Sequence, residues 1–347
     1  MSRKFCLIFI FFVLSCILLA SCSTSQSVHQ GASSSPGAKE LSLYLTADTA
    51  DKLEFALDSF CAEVFDKTNG VVAVVPVINA NPISSMRENG GLAFAENSSA
   101  IILSPYFRLF SEPFLFKSYD HFTMSVNSAE ILDELNASMT NVLALAAFYQ
   151  GSDFIISRMP IDDPAVFIGE IMPESGLPNP KTAPAILMCD SNVTRFNAYA
   201  SLGAVPIENA DINLRIDEIK VELTAAEFSI SEADALLAAD IDSEDEMQIT
   251  QTFHNASPLW LLAGTDLSDS LSIFEQAVIT DAIAGMFAKI DGEILAKEAD
   301  LLENLYQRSI LPGPDFYKTR RKAREYIDSG IARGTIEKRI LAYIYDI

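Results

Sequence analysis

Histidine and acidic side chains are the residues of this sequence that offer acid–base chemistry or metal ligands. The three histidines, His29, His121 and His254, lie far apart in the chain, so their spacing predicts neither a zinc motif nor a catalytic dyad. Carboxylates are abundant, but no spacing singles out one pair for general acid–base work. We interpret His254, which precedes an apolar run over 258–263, as a structural hydrogen-bonding histidine. The sequence therefore predicts no enzyme, no metal site and no cofactor.

An acidic segment over 240–246 has the composition of a calcium loop. It reads DIDSEDE, but the sixth position of an EF-hand loop is glycine, and here that position holds Asp245. The sequence also lacks Gly-x-Ser-x-Gly, the phosphate-binding loop and Gly-x-Gly-x-x-Gly, which mark common hydrolytic and nucleotide-binding sites. We interpret 240–246 as a solvated acidic loop.

The N-terminus combines charge, apolar length and a cysteine in the order of an export signal. A basic pair precedes an uncharged apolar run over 5–19, which is shorter than the roughly 20 residues that cross a bilayer, so an uncleaved anchor is disfavoured. The run ends in Leu-Ala-Ser-Cys at Cys22, which resembles the bacterial lipobox, whose cysteine carries lipid in the mature protein. We predict a signal peptide over 1–21, a lipidated Cys22 in a flexible tether over 22–40, and a place in the bacterial cell envelope facing the periplasm or exterior.

Two of the five cysteines, Cys61 and Cys189, remain in the body of the mature chain. Cys61 falls in a predicted helix, and Cys189 in a predicted strand of a different lobe. We therefore favour two separate buried thiols over a disulfide.

Composition and charge exclude two broad classes of protein. The 347 residues are 49% hydrophobic, which is too apolar for a disordered chain and allows two domains with sizeable cores. The 47 acidic residues against 24 Lys and Arg give a net charge of −23, which disfavours binding to nucleic acid. The same charge repels anionic solutes unless particular cations compensate locally.

Apolar runs alternate with helical patterns along most of the chain. We predict strands over 41–45, 71–77, 100–103, 142–148 and 185–189, helices that follow 46–49 and over 128–137, 191–202 and 268–306, and a loop over 164–184. The β-branched run over 71–77 does not alternate, which is typical of a strand covered on both faces. The alternation predicts an α/β fold with parallel sheets, and the helix over 268–306 is long enough to span both lobes.

Five segments, in this order, resemble the extracytoplasmic solute-binding proteins of TRAP transporters, the DctP-like family. The most specific, EPFLFKSYDH over 112–121, is similar to the Pro-Phe-Leu-Phe-x-x-Tyr-x-His segment of that family. The others are FDKTNG over 65–70, PIDDP over 160–164, LGAVP over 202–206 and TFH over 252–254. We take the resemblance to extend over about 40 to 340 of the chain.

The resemblance implies a two-lobed periplasmic-binding-protein-like clamp that closes on a small solute and delivers it to TRAP membrane subunits. Each lobe is expected to be a mostly parallel sheet flanked by helices, with lobe I over 41–150 and 258–297 and lobe II over 151–257 and 298–347. A helical-repeat periplasmic protein is a further partner of some relatives. The alternative is a binding fold that has lost transport and acts as a sensor or protein-interaction lipoprotein.

The sequence departs from the family where the ligand is usually held. Two positions at which the family uses arginine to grip a carboxylate hold Met188 and Ser152 here. The Gln-Glu-Asn-Pro stretch of the family corresponds to 226–229, with Glu227 retained and Phe228 in place of the amide. Because burial of an unpartnered carboxylate is costly, we predict a largely apolar or uncharged solute.

Three further residues are candidates for the ligand site. Trp260, the only tryptophan, is expected near the crossover between the lobes. Arg195 and Arg158 are the nearest substitutes for the missing carboxylate partners, and each is equally interpretable as an exposed charge. Met188, Phe228 and Trp260 are equally interpretable as core residues.

Overall fold

A computed structural model of the chain describes two compact units. The described residues are 37–157, 185–188, 196, 199–200, 205–208, 211, 213–214, 225–232, 235–236, 248–306 and 335–347. Among them, the first unit contains 37–104, 127–148 and 259–292. The second unit contains 105–126 and the described parts of 149–258 and 293–347.

The sheet of the first unit is mostly parallel. Strand β1 (Lys39–Leu45) pairs in parallel with both β2 (Val72–Ile78) and β3 (Leu92–Glu96). Strand β3 pairs antiparallel with the last part of β8 (Gln248–Gly264), which neighbours β4 (Val142–Ser157). Both β4 and β8 are long, and each has one part in either unit.

Strand β2 is the edge strand, and its second half differs from the expectation for 71–77. Val72, Ala73 and Val74 are buried, whereas the residues after them alternate in exposure and Ile78 is 57% exposed. The prediction of burial on both faces is therefore wrong for that half. An edge strand has only one neighbouring strand, so a β-branched run is tolerated there without full coverage.

Helix α1 (Ala47–Lys67) has the signals that its sequence predicts. The Thr46 hydroxyl accepts a hydrogen bond from the Thr49 backbone N–H at 3.1 Å, which caps the helix. The helix buries one apolar stripe that includes Leu53, Leu57, Phe60, Cys61 and Val64. Asn69 and Gly70, with φ of 53° and 77°, adopt the left-handed conformation that ends it.

The segment over 100–103 is not the strand that its apolar run predicts. Strand β3 comes earlier, after α2 (Pro82–Asn89), and is followed by the short helix α3 (Asn97–Ala100) and a turn. Ile102 is 78% exposed in that turn. A four-residue apolar run has no period, so sequence alone cannot distinguish a buried strand from an exposed turn.

Two further helices lie close to their predicted bounds. Helix α5 (Ala129–Ser138) follows α4 (Tyr119–Val126) of the second unit, and its Ser128 cap accepts from the Ile131 N–H. The long helix α7 (Ile273–Tyr306) is preceded by the separate turn α6 (Leu267–Ser270), so it begins five residues later than expected. The reason is a capping box, in which Ser272 and Glu275 exchange backbone-to-side-chain hydrogen bonds.

In the second unit the strands lie in the order β4, β7, β5, β6. Strand β7 (Ala225–Phe228) pairs antiparallel with β4 and parallel with β5 (Ala185–Met188). Strand β5 pairs in parallel with β6 (Val205–Glu208). Its described helices include α4, the end of α7, α8 (Thr335–Asp346), and two 3-10 helices at Pro105–Ser111 and Ile230–Glu232. Two α/β units with mostly parallel sheets confirm the predicted fold class.

Residues 105–126 belong to the second unit, whereas the sequence predicts them in lobe I. The Phe114 N–H donates to the His254 carbonyl at 2.6 Å, and the His121 Nε2 lies 2.7 Å from the Ile344 carbonyl oxygen. The ring of Phe122 packs against Tyr149 with centroids 5.4 Å apart. All of these partners lie in the second unit, so the contacts of 105–126 hold that segment in the second unit.

Several predicted features lie outside the described residues: the signal peptide and Cys22, the loop over 164–184, Arg158, Cys189, Arg195 and the acidic loop over 240–246. Cys61 is a free, buried thiol, and burial raises its pKa to about 11. Of the helices that the structure describes, none has the length and apolar character needed to cross a bilayer.

Candidate functional site

A buried polar cluster lies in the second unit, on three neighbouring strands. Asp153 is on β4, Glu227 on β7 and His254 on β8, with exposures of 7%, 0% and 1%. Strand β4 lies between the other two strands in the sheet order. Glu227 is directly opposite Ile155, and side chains two residues apart on a strand share a face. Asp153 and Glu227 are therefore diagonal neighbours on one face of the sheet.

The atoms of this cluster lie at short distances. The His254 Nε2 is 3.5 Å from the Glu227 Oε1, and the Tyr199 hydroxyl is 3.5 Å from the Glu227 Oε2. The Asn255 side-chain amide donates to the Asp153 Oδ2 at 2.6 Å. One potential ligand atom from each of Asp153, Glu227 and His254 lies within 4.8 Å of the other two. Two carboxylates and one imidazole thus share a small volume from which water is largely excluded.

The backbone is irregular beside two members of the cluster. Phe253, immediately before His254, has φ of 49°, which is rare for a bulky residue. Gly151, two residues before Asp153, has φ of 98°, and a Cβ added there would lie 2.3 Å from the Ile230 Cγ2. The glycine is therefore required, both by its conformation and by the close approach of Ile230. Phe253 is held by a parallel stack on Tyr149, with centroids 5.8 Å apart.

A second buried carboxylate group lies nearby in the same unit. The Glu298 Oε1, on α7, accepts hydrogen bonds from the Tyr149 hydroxyl at 2.7 Å, the Ser152 N–H at 2.7 Å and the Ser152 hydroxyl at 3.2 Å. Burial outweighs these donors and raises the pKa of Glu298 above its ordinary value. Burial, together with the negative charge of Glu298, also raises the pKa of Tyr149. This arrangement favours a Glu298 that holds its proton to higher pH than an exposed glutamate.

The structure brings together some of the predicted site residues and separates others. Ser152, Glu227 and Phe228 lie in the second unit and are fully buried. Ser152 is bonded to Glu298, and Phe228 is opposite Phe154 across the strand pair. Met188 ends β5, where its backbone is paired with Glu208.

Trp260 belongs to the first unit, where it is fully buried and donates from Nε1 to the Asn97 Oδ1 at 3.0 Å. That hydrogen bond is the kind of partner a core tryptophan needs. A role of Trp260 in ligand binding stays a prediction. Arg195, also predicted for the site, lies outside the described residues.

The sequence did not indicate Asp153, Tyr199 or Asn255 as site residues. It predicted a structural, hydrogen-bonding role for His254 but did not identify the residues that His254 contacts. One signal was available. The tripeptide Gly151-Ser152-Asp153 interrupts a run over 142–156 that is otherwise almost entirely apolar, which marks a special position in a buried strand. The partners of Asp153 carry no such signal, because they come from distant segments of the chain.

Comparison with known proteins gives matches in structure alone. No protein-family model matches the chain, and no curated protein matches its sequence. A TRAP periplasmic solute-binding protein from Rhodobacter sphaeroides in an apo open form is similar with a TM-score of 0.70 at 14% identity, over 89% of this chain and 97% of that one. The ectoine-binding protein TeaA of the TeaABC TRAP transporter has a TM-score of 0.68 at 16% identity, over 89% and 98% of the two chains.

A third similar structure is the sugar acid binding protein of Advenella mimigardefordensis in complex with galactonate. Its TM-score is 0.60 at 19% identity, over 89% of this chain and 98% of that protein. The motifs over 112–121 and 202–206 predicted this likeness from the sequence. The chain has, in divergent sequence, the fold of the TRAP periplasmic solute-binding proteins.

Proposed function

We propose that this chain is a solute-binding protein of the TRAP type, which captures a small molecule and passes it to TRAP membrane subunits. The observation that supports the proposal is the fold, which matches the Rhodobacter sphaeroides protein at a TM-score of 0.70 over nearly the full length of both chains. The similar proteins bind small solutes, ectoine in the case of TeaA and galactonate in the case of the Advenella protein. A binding role of this kind requires no catalysis.

The proposed place of work is the periplasmic side of the bacterial envelope, with a lipid on Cys22 as the anchor. The lipobox that ends at Cys22 and the serine-rich tether behind it support the anchor. The proposed partners are the membrane subunits, and a helical-repeat periplasmic protein is a further candidate. Closure of two lobes on the solute also stays a prediction, which solution scattering of apo and loaded protein tests.

We propose that the solute carries no carboxylate, in contrast to galactonate. The predicted ligand residues are Ser152, Met188, Glu227, Phe228, Arg195 and Trp260. Two observations support an apolar or uncharged solute. Ser152, at a family arginine position, is bonded to Glu298, and Glu227 lies beside a further buried carboxylate, Asp153. A negative ligand group close to three buried carboxyl side chains is disfavoured by repulsion.

The first experiment identifies the solute directly. Protein purified under native conditions is denatured, and the released small molecules are measured by mass spectrometry. The expected result is one solute near one equivalent, without a carboxylate. Binding is then compared for a carboxylic acid and its amide. If the acid binds tenfold better, which is about 1.4 kcal/mol, the proposal of an uncharged solute is wrong while the binding function stands.

The altered ligand positions also favour an alternative, in which the fold has lost transport and serves as a sensor or protein-interaction lipoprotein. The specific observation is the hydrogen bond of the Ser152 hydroxyl to Glu298, because the resemblance aligns Ser152 with an arginine that holds the ligand in the family. Recovery of a protein partner from a purified preparation that contains no solute supports the alternative. A released solute together with a thermal shift on its re-addition favours the transport function instead.

A further inference from the structure

We propose that Asp153, Glu227 and His254 together bind a divalent transition-metal ion, for which Zn²⁺ is the natural probe. All three residues lie within the second unit and each offers one ligand atom, with all three atoms within 4.8 Å of one another. The inference goes beyond the proposed function and does not depend on it. A protein without a solute or a transporter would still present these three side chains.

The ligand set selects the class of ion. Imidazole nitrogen with two carboxylates suits Zn²⁺ and neighbouring transition ions, whereas Ca²⁺ and Mg²⁺ prefer oxygen ligands throughout. Zinc–nitrogen and zinc–oxygen bonds of about 2.0 to 2.2 Å at tetrahedral angles place two ligands about 3.3 to 3.5 Å apart. The His254 Nε2 and the Glu227 Oε1 are already 3.5 Å apart. The third ligand, from Asp153, closes the set with a small side-chain movement.

Neighbouring polar groups orient both carboxylates. Asn255 donates to the Asp153 Oδ2 at 2.6 Å, which fixes the orientation of that carboxylate. The Tyr199 hydroxyl lies beside the Glu227 Oε2, while the Glu227 Oε1 faces His254. Metal sites in proteins generally hold their carboxylate and histidine ligands through such outer partners. Asn255 and Tyr199 are therefore positioning residues of the proposed site.

Charge favours the same conclusion. Two ionised carboxylates in a buried site repel each other, and each is costly to remove from water. A divalent ion bound to two carboxylates and a neutral imidazole gives a set with no net charge. Three protein ligands leave one coordination position open, which a water molecule can occupy.

The test uses the purified full mature protein, first stripped of metal with a chelator and then dialysed. Zn²⁺ is titrated by calorimetry, and bound metal is counted by elemental analysis after gel filtration. We expect one tight equivalent of Zn²⁺, a higher melting temperature in its presence, and binding of Ca²⁺ that is at least 100-fold weaker. Co²⁺ in place of Zn²⁺ should give visible absorption bands of a site with nitrogen and oxygen ligands.

Matched variants assign the site to these residues. Asp153→Asn, Glu227→Gln and His254→Gln are each expected to weaken Zn²⁺ binding at least 100-fold, and Tyr199→Phe is expected to weaken it about 10-fold. Two controls in the same unit, Glu232→Gln and His121→Gln, are expected to change it less than 3-fold. Circular dichroism checks that each variant is folded.

Three outcomes overturn the proposal. The first outcome is metal-stripped wild-type protein that binds no stoichiometric Zn²⁺, and this result overturns the proposal without the need for any variant. Tight Zn²⁺ binding that survives in folded Asp153→Asn, Glu227→Gln and His254→Gln proteins places the metal elsewhere. Equal affinity for Ca²⁺ and Zn²⁺ excludes the proposed class of ion. None of these results bears on whether the protein binds a solute, which the released-solute experiment decides separately.

Discussion

The His254 Nε2 and the Glu227 Oε1 lie 3.5 Å apart in the second unit, and both side chains are withdrawn from solvent. His254 comes from the segment TFH over 252–254, one of the five that resemble the TRAP family, whereas Glu227 lies in the stretch 226–229, where the sequence departs from that family. The contact therefore joins a segment that resembles the family to one that departs from it. Because both side chains are buried, a charge on either one is poorly screened by water.

We expect Glu227→Gln to destabilise the protein by about 1 to 3 kcal/mol in metal-free buffer. Glutamine keeps the shape of the side chain, but its amide removes the charge that faces His254. Urea unfolding followed by fluorescence measures the change. The control is Glu232→Gln, which alters a half-buried carboxylate that accepts a hydrogen bond from the Ser229 N–H. It should lower the free energy of unfolding by less than Glu227→Gln does. Equal losses for the two variants would argue against a special role of the Glu227–His254 contact.

Glu275 should make the stability of the folded protein depend on pH in the acid range. The Ser272 N–H at 2.7 Å, followed by Lys39 at 3.1 Å, lowers the pKa of Glu275 below its ordinary value of 4.5. A carboxyl with a lowered folded pKa contributes stability above its unfolded pKa and loses that stability as pH falls through the folded pKa. Wild type should therefore melt above Glu275→Gln at pH 7, and the difference should shrink towards pH 3.

The control for this effect is Lys39→Met, which removes the cation and keeps the capping box. It should reduce the pH-dependent difference without abolishing it, because the Ser272 backbone N–H remains as the larger cause. A gap between wild type and Glu275→Gln that stays constant from pH 7 to pH 3 would contradict the assignment.

Glu298 should make stability depend on pH in the opposite direction to Glu275. Because burial raises its pKa, the folded protein binds this proton more tightly than the unfolded chain. The resulting stability is present below the ordinary value of 4.5 and is lost as pH rises through the raised pKa. The melting temperature of Glu298→Gln relative to wild type should therefore improve from pH 4 to pH 8. A relative melting temperature that falls over this range would show that the hydrogen bonds, and not burial, dominate.

Two glycine substitutions form a matched pair. Gly151→Ala should destabilise the protein by about 2 kcal/mol or more, because φ is 98° and the new Cβ would meet Ile230 at 2.3 Å. Gly292→Ala, in helix α7 with open space around it, should stabilise by about 0.5 to 1 kcal/mol. Thermal unfolding by circular dichroism measures both. Similar melting temperatures for the two variants would refute the conformational argument.

Lipidation is tested by a change at a single residue. Cys22→Ala should abolish the partition of the mature protein into membranes, because one sulfur carries the proposed anchor. Fractionation and mass spectrometry of the mature N-terminus provide the measurement. Cys61→Ala, at a buried free thiol, is the control and should leave the partition unchanged. Mature Cys22→Ala protein that still sediments with membranes would remove the basis for a lipid anchor.

Much of the fold could be predicted because its signals are local. Thr46 and Asn69-Gly70 mark the two ends of α1, and the 3.6-residue period between them defines its buried stripe. The same local information fails where apolar residues are few or uniform. The run over 100–103 contains no period, and the β-branched run of β2 does not reveal that β2 is an edge strand. Edge position is a property of the whole sheet.

The polar cluster was decided by tertiary structure alone. By itself the sequence determined that Asp153 and Glu227 are acidic residues beside apolar ones and that His254 precedes an apolar run over 258–263. It carried no metal or catalytic spacing, because the three residues come from distant segments. Only the order β8, β4, β7 and the register of Glu227 with Ile155 bring them to one face. Strand pairing joins residues by backbone hydrogen bonds, which every sequence offers, so their partners are chosen by the packing of the whole unit.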